Sequence, residues 1–504
     1  MSWFRASFLP RLLVLALSVP AAAVAAEDVA LIEAVRSADI GRVRALLKKG
    51  VDVNGPQADG ATALHWAAHR NDLEAAELLL RAGANASAAN ELGATPLWLA
   101  SVNGSATMVE RLLKARANPN AALASGETPL MAAARTGNAN VVRLLVAGGA
   151  DVNAKERFRG QTALMWAVEQ GQTDVTRILL EVGANIHARS DVWYQLENTA
   201  GNANGAGDFE MAHGGSTPLL FAARTGDIST ARVLLDAGAN VNDTLPAGMS
   251  ALVVAAHSAH GALVAYLLER GADPNAAAAG YTALHAAVLR GDFDLVTALL
   301  DHGADPNALV LHGTPGRRLG ADFSLRHQMI GANAFWLAAR FGEIRIMRLL
   351  VERGASPLAA PKDGTTALKA AMGFAGGLTE NRQNRYGVPP LDPDEEERLT
   401  LEAARIAIEK GVNVNAATTA GDTALHDAVR QRFNRVIQFL VDHGANLNVK
   451  NKRNETPLSL ALADRRDVGA GDLRYARRLS TAELLKKLGA REEPTASRST
   501  SPPR

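Results

Sequence analysis

Histidine pairs are the first residues in this chain whose type and spacing could do chemistry. His65 and His69 stand four apart in His65-Trp66-Ala67-Ala68-His69. On a helix that spacing puts both rings on one face, as a zinc site requires. The glutamate that a zinc protease carries directly after its first histidine is absent, because Trp66 takes its place. His257 and His260 lie three apart at the end of an apolar run and read as surface residues. The chain contains no cysteine, which excludes thiolate metal sites, thiol nucleophiles, disulfides and an acylated cysteine. No nucleophile, acid and base gather in one stretch as catalysis requires. We therefore assign no catalytic residue, no metal ligand and no cofactor. One alternative is kept: Arg317, Arg318, His327, Arg382, Arg385 and Tyr386 could build a small-molecule or metal site, an enzymatic one included.

The elements around these residues come from a phrase of about thirty-three residues that recurs roughly twelve times, the signature of a stacked solenoid. Clear copies begin Gly60-Ala61-Thr62-Ala63-Leu64-His65, Gly126-Glu127-Thr128-Pro129-Leu130, Gly280-Tyr281-Thr282-Ala283-Leu284-His285 and Gly421-Asp422-Thr423-Ala424-Leu425-His426. Each leads to a Leu-Leu-x-x-Gly-Ala-[Asn/Asp]-x-Asn phrase. The threonine is placed to cap a helix. Proline or alanine follows at the first helical position, where a missing N–H costs nothing. Leucine starts the buried stripe, and alanine pairs such as Ala67-Ala68 let helices approach closely. A glycine, as at Gly137 or Gly226, permits a turn into a second helix, and Gly-Ala-[Asn/Asp] supplies a left-handed stop.

This pattern resembles the ankyrin repeat over nearly the whole chain after residue 26. The resemblance implies an all-α repeat fold, an ankyrin-repeat α-solenoid of helix-turn-helix pairs with β-hairpin fingers. It also implies recognition of partner proteins without catalysis, and it gives the phrase's histidine (His65, His285, His426) a structural role, bridging backbone groups between repeats. Trp98 and Trp336 take that position, and Trp66 and Trp166 follow it directly. In such repeats the two residues that end the first helix face the concave groove. Here those pairs hold Arg70, Arg135, Arg224, Arg290, Arg340 with Phe341, and Arg430. Such a row suits carboxylates or an acidic strip of protein; it is equally the choice of a solvated residue that complements the helix dipole.

Three segments break the period, near 191–211, 311–330 and 373–399. The first two fall between repeats and should extend fingers. The third falls within a repeat, where Asp392 and Pro393 are placed to start a lengthened second helix. Trp193 and Tyr194 lie in the first break, outside the repeat core; they either tuck back against the stack or act as contact anchors. Arg317 and Arg318 lie in the second break, and Arg382, Arg385 and Tyr386 in the third.

The N-terminal 26 residues read as a secretory signal peptide: Arg5 and Arg11, then Leu12–Leu17, then small residues ending at Ala26 or, alternatively, Ala23. The solenoid then spans 27–490, and the polar, proline-rich 491–504 is expected to be disordered. With 53 basic and 52 acidic residues, net charge singles out no partner and disfavours nucleic acid. The expectation is thus a periplasmic or secreted monomer with no membrane span after cleavage, acting as a protein-binding scaffold. Its partner surface would comprise the arginines, Phe341, the two aromatics of the first break and the three insertions.

Overall fold

The computed structural model describes residues 26–198, 208–313, 325, 327–373, 392–463 and 481–491. These fall into two compact bodies. The first holds the described residues up to Tyr194 together with Ala212–Pro246, and the second holds those of Gln195–Met211 and from Ala247 onward.

In the first body the helices come in pairs: α1 (Ala26–Arg36) with α2 (Ile40–Lys48), α3 (Ala63–His69) with α4 (Leu73–Arg81), α5 (Pro96–Val102) with α6 (Ala106–Lys114), α7 (Pro129–Thr136) with α8 (Ala139–Ala147), α9 (Ala163–Glu169) with α10 (Thr173–Glu181), and α11 (Pro218–Thr225) with α12 (Ile228–Asp236). First helices pack on first helices, from α3 to α11, and second on second, from α2 to α12. The second body repeats the scheme with α13 (Ala251–His257) and α14 (Gly261–Glu269), α15 (Ala283–Arg290) and α16 (Phe293–Asp301), α17 (Ala334–Phe341) and α18 (Ile344–Glu352), α19 (Ala367–Ala371) and α20 (Pro393–Glu409), α21 (Ala424–Gln431) and α22 (Asn434–Asp442), and α23 (Pro457–Ala463) and α24 (481–487).

The phrase explains these elements locally. Thr95 and Thr128 accept hydrogen bonds from the N–H of Trp98 (3.2 Å) and Met131 (3.3 Å), closing two helix starts that would otherwise leave donors unsatisfied. Pro96, Pro129 and Pro218 take the first helical position. The alanine pairs Ala67-Ala68 and Ala222-Ala223 are fully buried, as close helix approach demands.

Two ladders join successive repeats. The last asparagine of the Gly-Ala-x-x-Asn phrase reaches the same loop one repeat on. Asn120 accepts from Asp151 N–H (2.7 Å) and donates to Gly149 O (3.0 Å). Asn153 does the same with Asn185 (2.7 Å) and Gly183 (3.1 Å). The second ladder runs along the finger tips. Glu91 N–H donates to Asp59 O (2.9 Å), Ala124 to Leu92 (3.0 Å), Arg157 to Ser125 (2.8 Å) and Asp191 to Arg159 (2.6 Å). Gly93 at one tip shows why that position takes glycine: φ is +83°, and a Cβ there would lie 2.9 Å from Ala122 O.

The period breaks now have shapes. The first opens as a hairpin of β1 (Val192–Asn198) and β2 (Asp208–Gly214), a lengthened finger. Across the second, Asn307 keeps its ladder bonds to Ser356 N–H (2.6 Å) and Gly354 O (2.9 Å), so the repeats on either side remain stacked. In the third, Asp392 caps the seventeen-residue α20 by accepting from Asp394 N–H (2.8 Å). A fourth break, which the sequence reading did not single out, separates α23 from α24 in the last pair.

Candidate functional site

The phrase histidines use both ring nitrogens within the fold. His65 Nδ1 accepts from its own Thr62 N–H (3.0 Å), and Nε2 donates to Ala94 O of the next repeat (3.0 Å). His285 pairs with Thr282 (3.1 Å) and Ala308 O (3.0 Å), and His426 with Thr423 (3.1 Å) and Glu455 O (3.2 Å). Only the neutral ring with its proton on Nε2 makes both bonds. Burial pushes all three down from the ordinary histidine value, His285 to about 4. His65 thus has no lone pair left for a metal shared with His69. The latter is exposed and meets the Trp66 ring edge-on, with centroids 5.9 Å apart. Trp336, in the histidine position, makes an equivalent bridge: its Nε1–H donates to Thr365 O of the next repeat (2.8 Å). Lys369, in the same position of its own repeat, forms an ion pair with Asp427 of the next. Among the described residues no group of three or more potential metal ligands gathers.

The arginines that end first helices do not act as one set, because they fall in two registers. Arg135, Arg224, Arg340 and Arg430 come seven residues after the capping residue; Arg70 and Arg290 come eight after. In three of the first register the guanidinium reaches back to the residue just before the cap. Arg135 meets Glu127 Oε1 (3.2 Å), Arg224 meets Ser216 Oγ (3.3 Å) and Arg430 meets Asp422 Oδ1 (2.9 Å). Arg430 also pairs with Asp427 (2.8 Å). Burial alone would raise the Asp422 carboxyl; hydrogen bonds from Arg430 and Asn451 more than offset it and hold it below its ordinary value. For Glu127 burial wins over Arg135 and the Trp98 indole, and its carboxyl is raised. In the second register Arg290 Nε donates to His257 O (2.8 Å), capping the preceding first helix, as Asn103 does through His69 O (2.7 Å). Arg70 is exposed.

Two corrections follow. Arg340 is 6% exposed, so it belongs to the interior instead of a displayed stripe. Phe341 beside it is half-buried. Two of the expected row of cations, Arg135 and Arg430, are also answered by acids at the position before the cap. An arginine eight residues after a glutamate or aspartate is the signal that marks this pairing in the sequence.

The hairpin base displays two aromatics. Trp193 is 42% exposed and Tyr194 65%. The Trp193 ring stacks on His213 (5.8 Å between centroids, 17° between planes), and the Arg159 guanidinium sits 5.8 Å over it. Trp193 therefore both tucks back and stays accessible, while Tyr194 is displayed. Phe158, which the sequence reading passed over, is the most exposed large apolar residue of all those described, at 79%. It stands at the tip of the finger 156–161, one residue longer than the fingers before it. That loop is held by the buried Glu156 carboxylate, which accepts from the N–H groups of Phe158 (2.6 Å), Arg159 (2.8 Å) and Gln161 (3.0 Å). The signal available in sequence was Arg157-Phe158-Arg159-Gly160, an aromatic between arginines where the three preceding tips carry Asp59, Leu92 and Ser125.

Arg317, Arg318, Arg382, Arg385 and Tyr386 lie outside the described residues, as do residues 1–25 of the leader and 492–504 of the tail. His327 opens a short 3-10 turn and is exposed. No helix among the described residues is long and apolar enough to cross a membrane.

Stacked helix pairs, capped by threonine and joined through fingers and asparagine ladders, define an α-helical repeat protein built to display surface. Family comparison gives the particular class. Models of ankyrin repeats match residues 31–123, 97–190, 197–278 and 219–310, and a further ankyrin-repeat model matches 408–461. Together they cover more than half of the chain, which belongs to the ankyrin-repeat family. Among curated proteins, it is 33% identical over 78 residues to a putative ankyrin repeat protein of Fowlpox virus (strain NVSL), spanning 16% of this chain and 41% of that one. It is 32% identical over 69 residues to the BRCA1-associated RING domain protein 1 of Caenorhabditis elegans, spanning 14% of this chain and 10% of that one. The chain thus matches less than half the length of these relatives. Ankyrin repeats imply protein partners, and proteins built from them are generally non-catalytic scaffolds.

Proposed function

We propose that this protein is an exported, non-catalytic scaffold that binds a partner protein through the finger side of its first body. The observation that carries the reading is the tip-to-tip backbone ladder from Asp59 to Asp191. It holds the fingers in fixed register, so Phe158, Trp193 and Tyr194 are exposed on ordered backbone. Ordered aromatics lose little side-chain freedom on binding and make strong anchors. Arg70 is exposed, and an acidic partner surface would answer it. Arg290 and Arg430 are engaged within the second body and are left out of the interface. Export rests on the leader, whose removal after Ala26 would leave Glu27 as the mature N-terminus.

Affinity capture from the native source tests both parts. The mature chain, recovered from the exported fraction with N-terminal sequence starting at Glu27, should retain a defined partner identified by mass spectrometry. Recovery only from the cytoplasm with residues 1–26 attached sinks export. Retention of nothing beyond a mock resin sinks the scaffold.

A further inference from the structure

The finger 156–161 departs from its neighbours in charge as well as length. Lys155, Arg157 and Arg159 are all exposed around Phe158. Three acids lie close by, none within salt-bridge distance of Arg157 or Arg159 among the described residues. Glu156 is spent on three backbone N–H groups. Asp191 lies 3.9 Å from Lys155. Glu169 is raised by burial, and Arg224 opposes that rise more strongly than Arg159 does. Arg157 and Arg159 are oriented instead by neutral groups. Arg157 Nη1 touches Ala124 O at 3.5 Å, and Arg159 lies over the Trp193 ring. A carbonyl or an aromatic face positions a guanidinium without cancelling its charge. Two cations therefore flank an exposed aromatic on a loop that is fixed before any partner arrives.

We propose that this tip is a docking site for an acidic segment of a partner protein, in which an apolar side chain packs on Phe158, Trp193 and Tyr194 and carboxylates on either side pair with Arg157 and Arg159. The proposal rests on the scaffold reading and narrows it to one finger and one partner chemistry. A basic or neutral segment would leave both guanidinium groups desolvated without a counter-charge, so the site selects as well as binds.

The test uses the full mature chain and fluorescein-labelled peptides read by anisotropy. One probe has a tyrosine flanked on each side by glutamates. A second replaces the glutamates by lysines, and a third replaces the tyrosine by alanine. The acidic tyrosine peptide should bind, and the other two should bind roughly tenfold or more weakly. Arg157→Glu and Phe158→Ala should each weaken the first peptide about tenfold, with thermal melting unchanged. Arg157→Glu is the variant least able to disturb the fold, because its side chain is exposed and its guanidinium makes a long hydrogen bond to a carbonyl, 3.5 Å from Ala124 O. Arg143→Glu, an exposed change on α8, should alter binding by less than about twofold. Equal binding of the lysine peptide, indifference to Arg157→Glu, or no binding at millimolar peptide overturns the proposal. If the wild-type chain captures a partner that Arg157→Glu and Phe158→Ala retain equally, the docking site falls and the scaffold stands. A wild-type chain that captures nothing brings down the scaffold reading itself.

Discussion

Acidification should weaken the second body through His285, and the size of the effect follows from its surroundings. The ring is fully buried, with Nδ1 turned to the Thr282 N–H and Nε2 to Ala308 O. A proton added at Nδ1 would face another donor, in a site where charge has no water to solvate it. Burial thus holds the group at about 4, against 6.5 for an ordinary histidine. The unfolded chain takes up the proton first, so stability from this group is fully present above 6.5 and drains away as pH falls towards 4. Linkage puts the loss at about 2 kcal/mol by pH 5 and about 3 kcal/mol by pH 4. Urea unfolding of the wild type and of His285→Gln, compared at pH 7.5, 5 and 4, isolates the term, since His65 and His426 are common to both. Glutamine can accept and donate in the same places but does not titrate. At pH 7.5 the variant should be less stable by about 1–2 kcal/mol, and by pH 4 the difference should vanish or reverse. A difference that stays constant from pH 7.5 to 4, or a His285 ring resonance that titrates near 6.5 in NMR, refutes the reasoning.

Two further outcomes rest on the interactions between and within repeats. Arg135→Ala should cost about 1–3 kcal/mol in chemical unfolding by leaving Glu127 half-buried without its cation, and adding Glu127→Gln should recover most of that loss; a double variant no more stable than the single one would contradict the pairing. Asn120→Ala removes two backbone bonds to the next repeat and should destabilise the first body by about 1–3 kcal/mol, with amide exchange at Asp151 accelerating; unchanged exchange there would count against the ladder.

Much of the fold was legible because its determinants are local. Thr128, Pro129 and Gly137 act within one helix, and their roles follow from capping and φ alone. The histidine bridge was legible through the resemblance, and its geometry bears that out at His65, His285 and His426. The site was less legible. The row of arginines looked like one feature because the residues share a place in the phrase, but a one-residue difference in register sends Arg135 to Glu127 and Arg290 to His257 O. Phe158 escaped notice because an aromatic at a loop tip carries no periodic signal, and its exposure depends on how Glu156 folds the loop beneath it. The break between α23 and α24 was missed because the first helix of that pair keeps its Thr456-Pro457-Leu458 start.

The sequence by itself determined the repeat, its caps, its turns and three of the four places where the period breaks, since the caps and turns depend on residues within about one helical turn of each other. The tertiary structure decided which charges are answered and which aromatics remain accessible. Those properties depend on contacts that the repeat phrase does not encode, some within a repeat, as Arg135 with Glu127, and some one repeat away, as Arg159 with Trp193. The fold gives Arg135 both a carboxylate and the face of Trp166, and it gives Arg159 the face of Trp193.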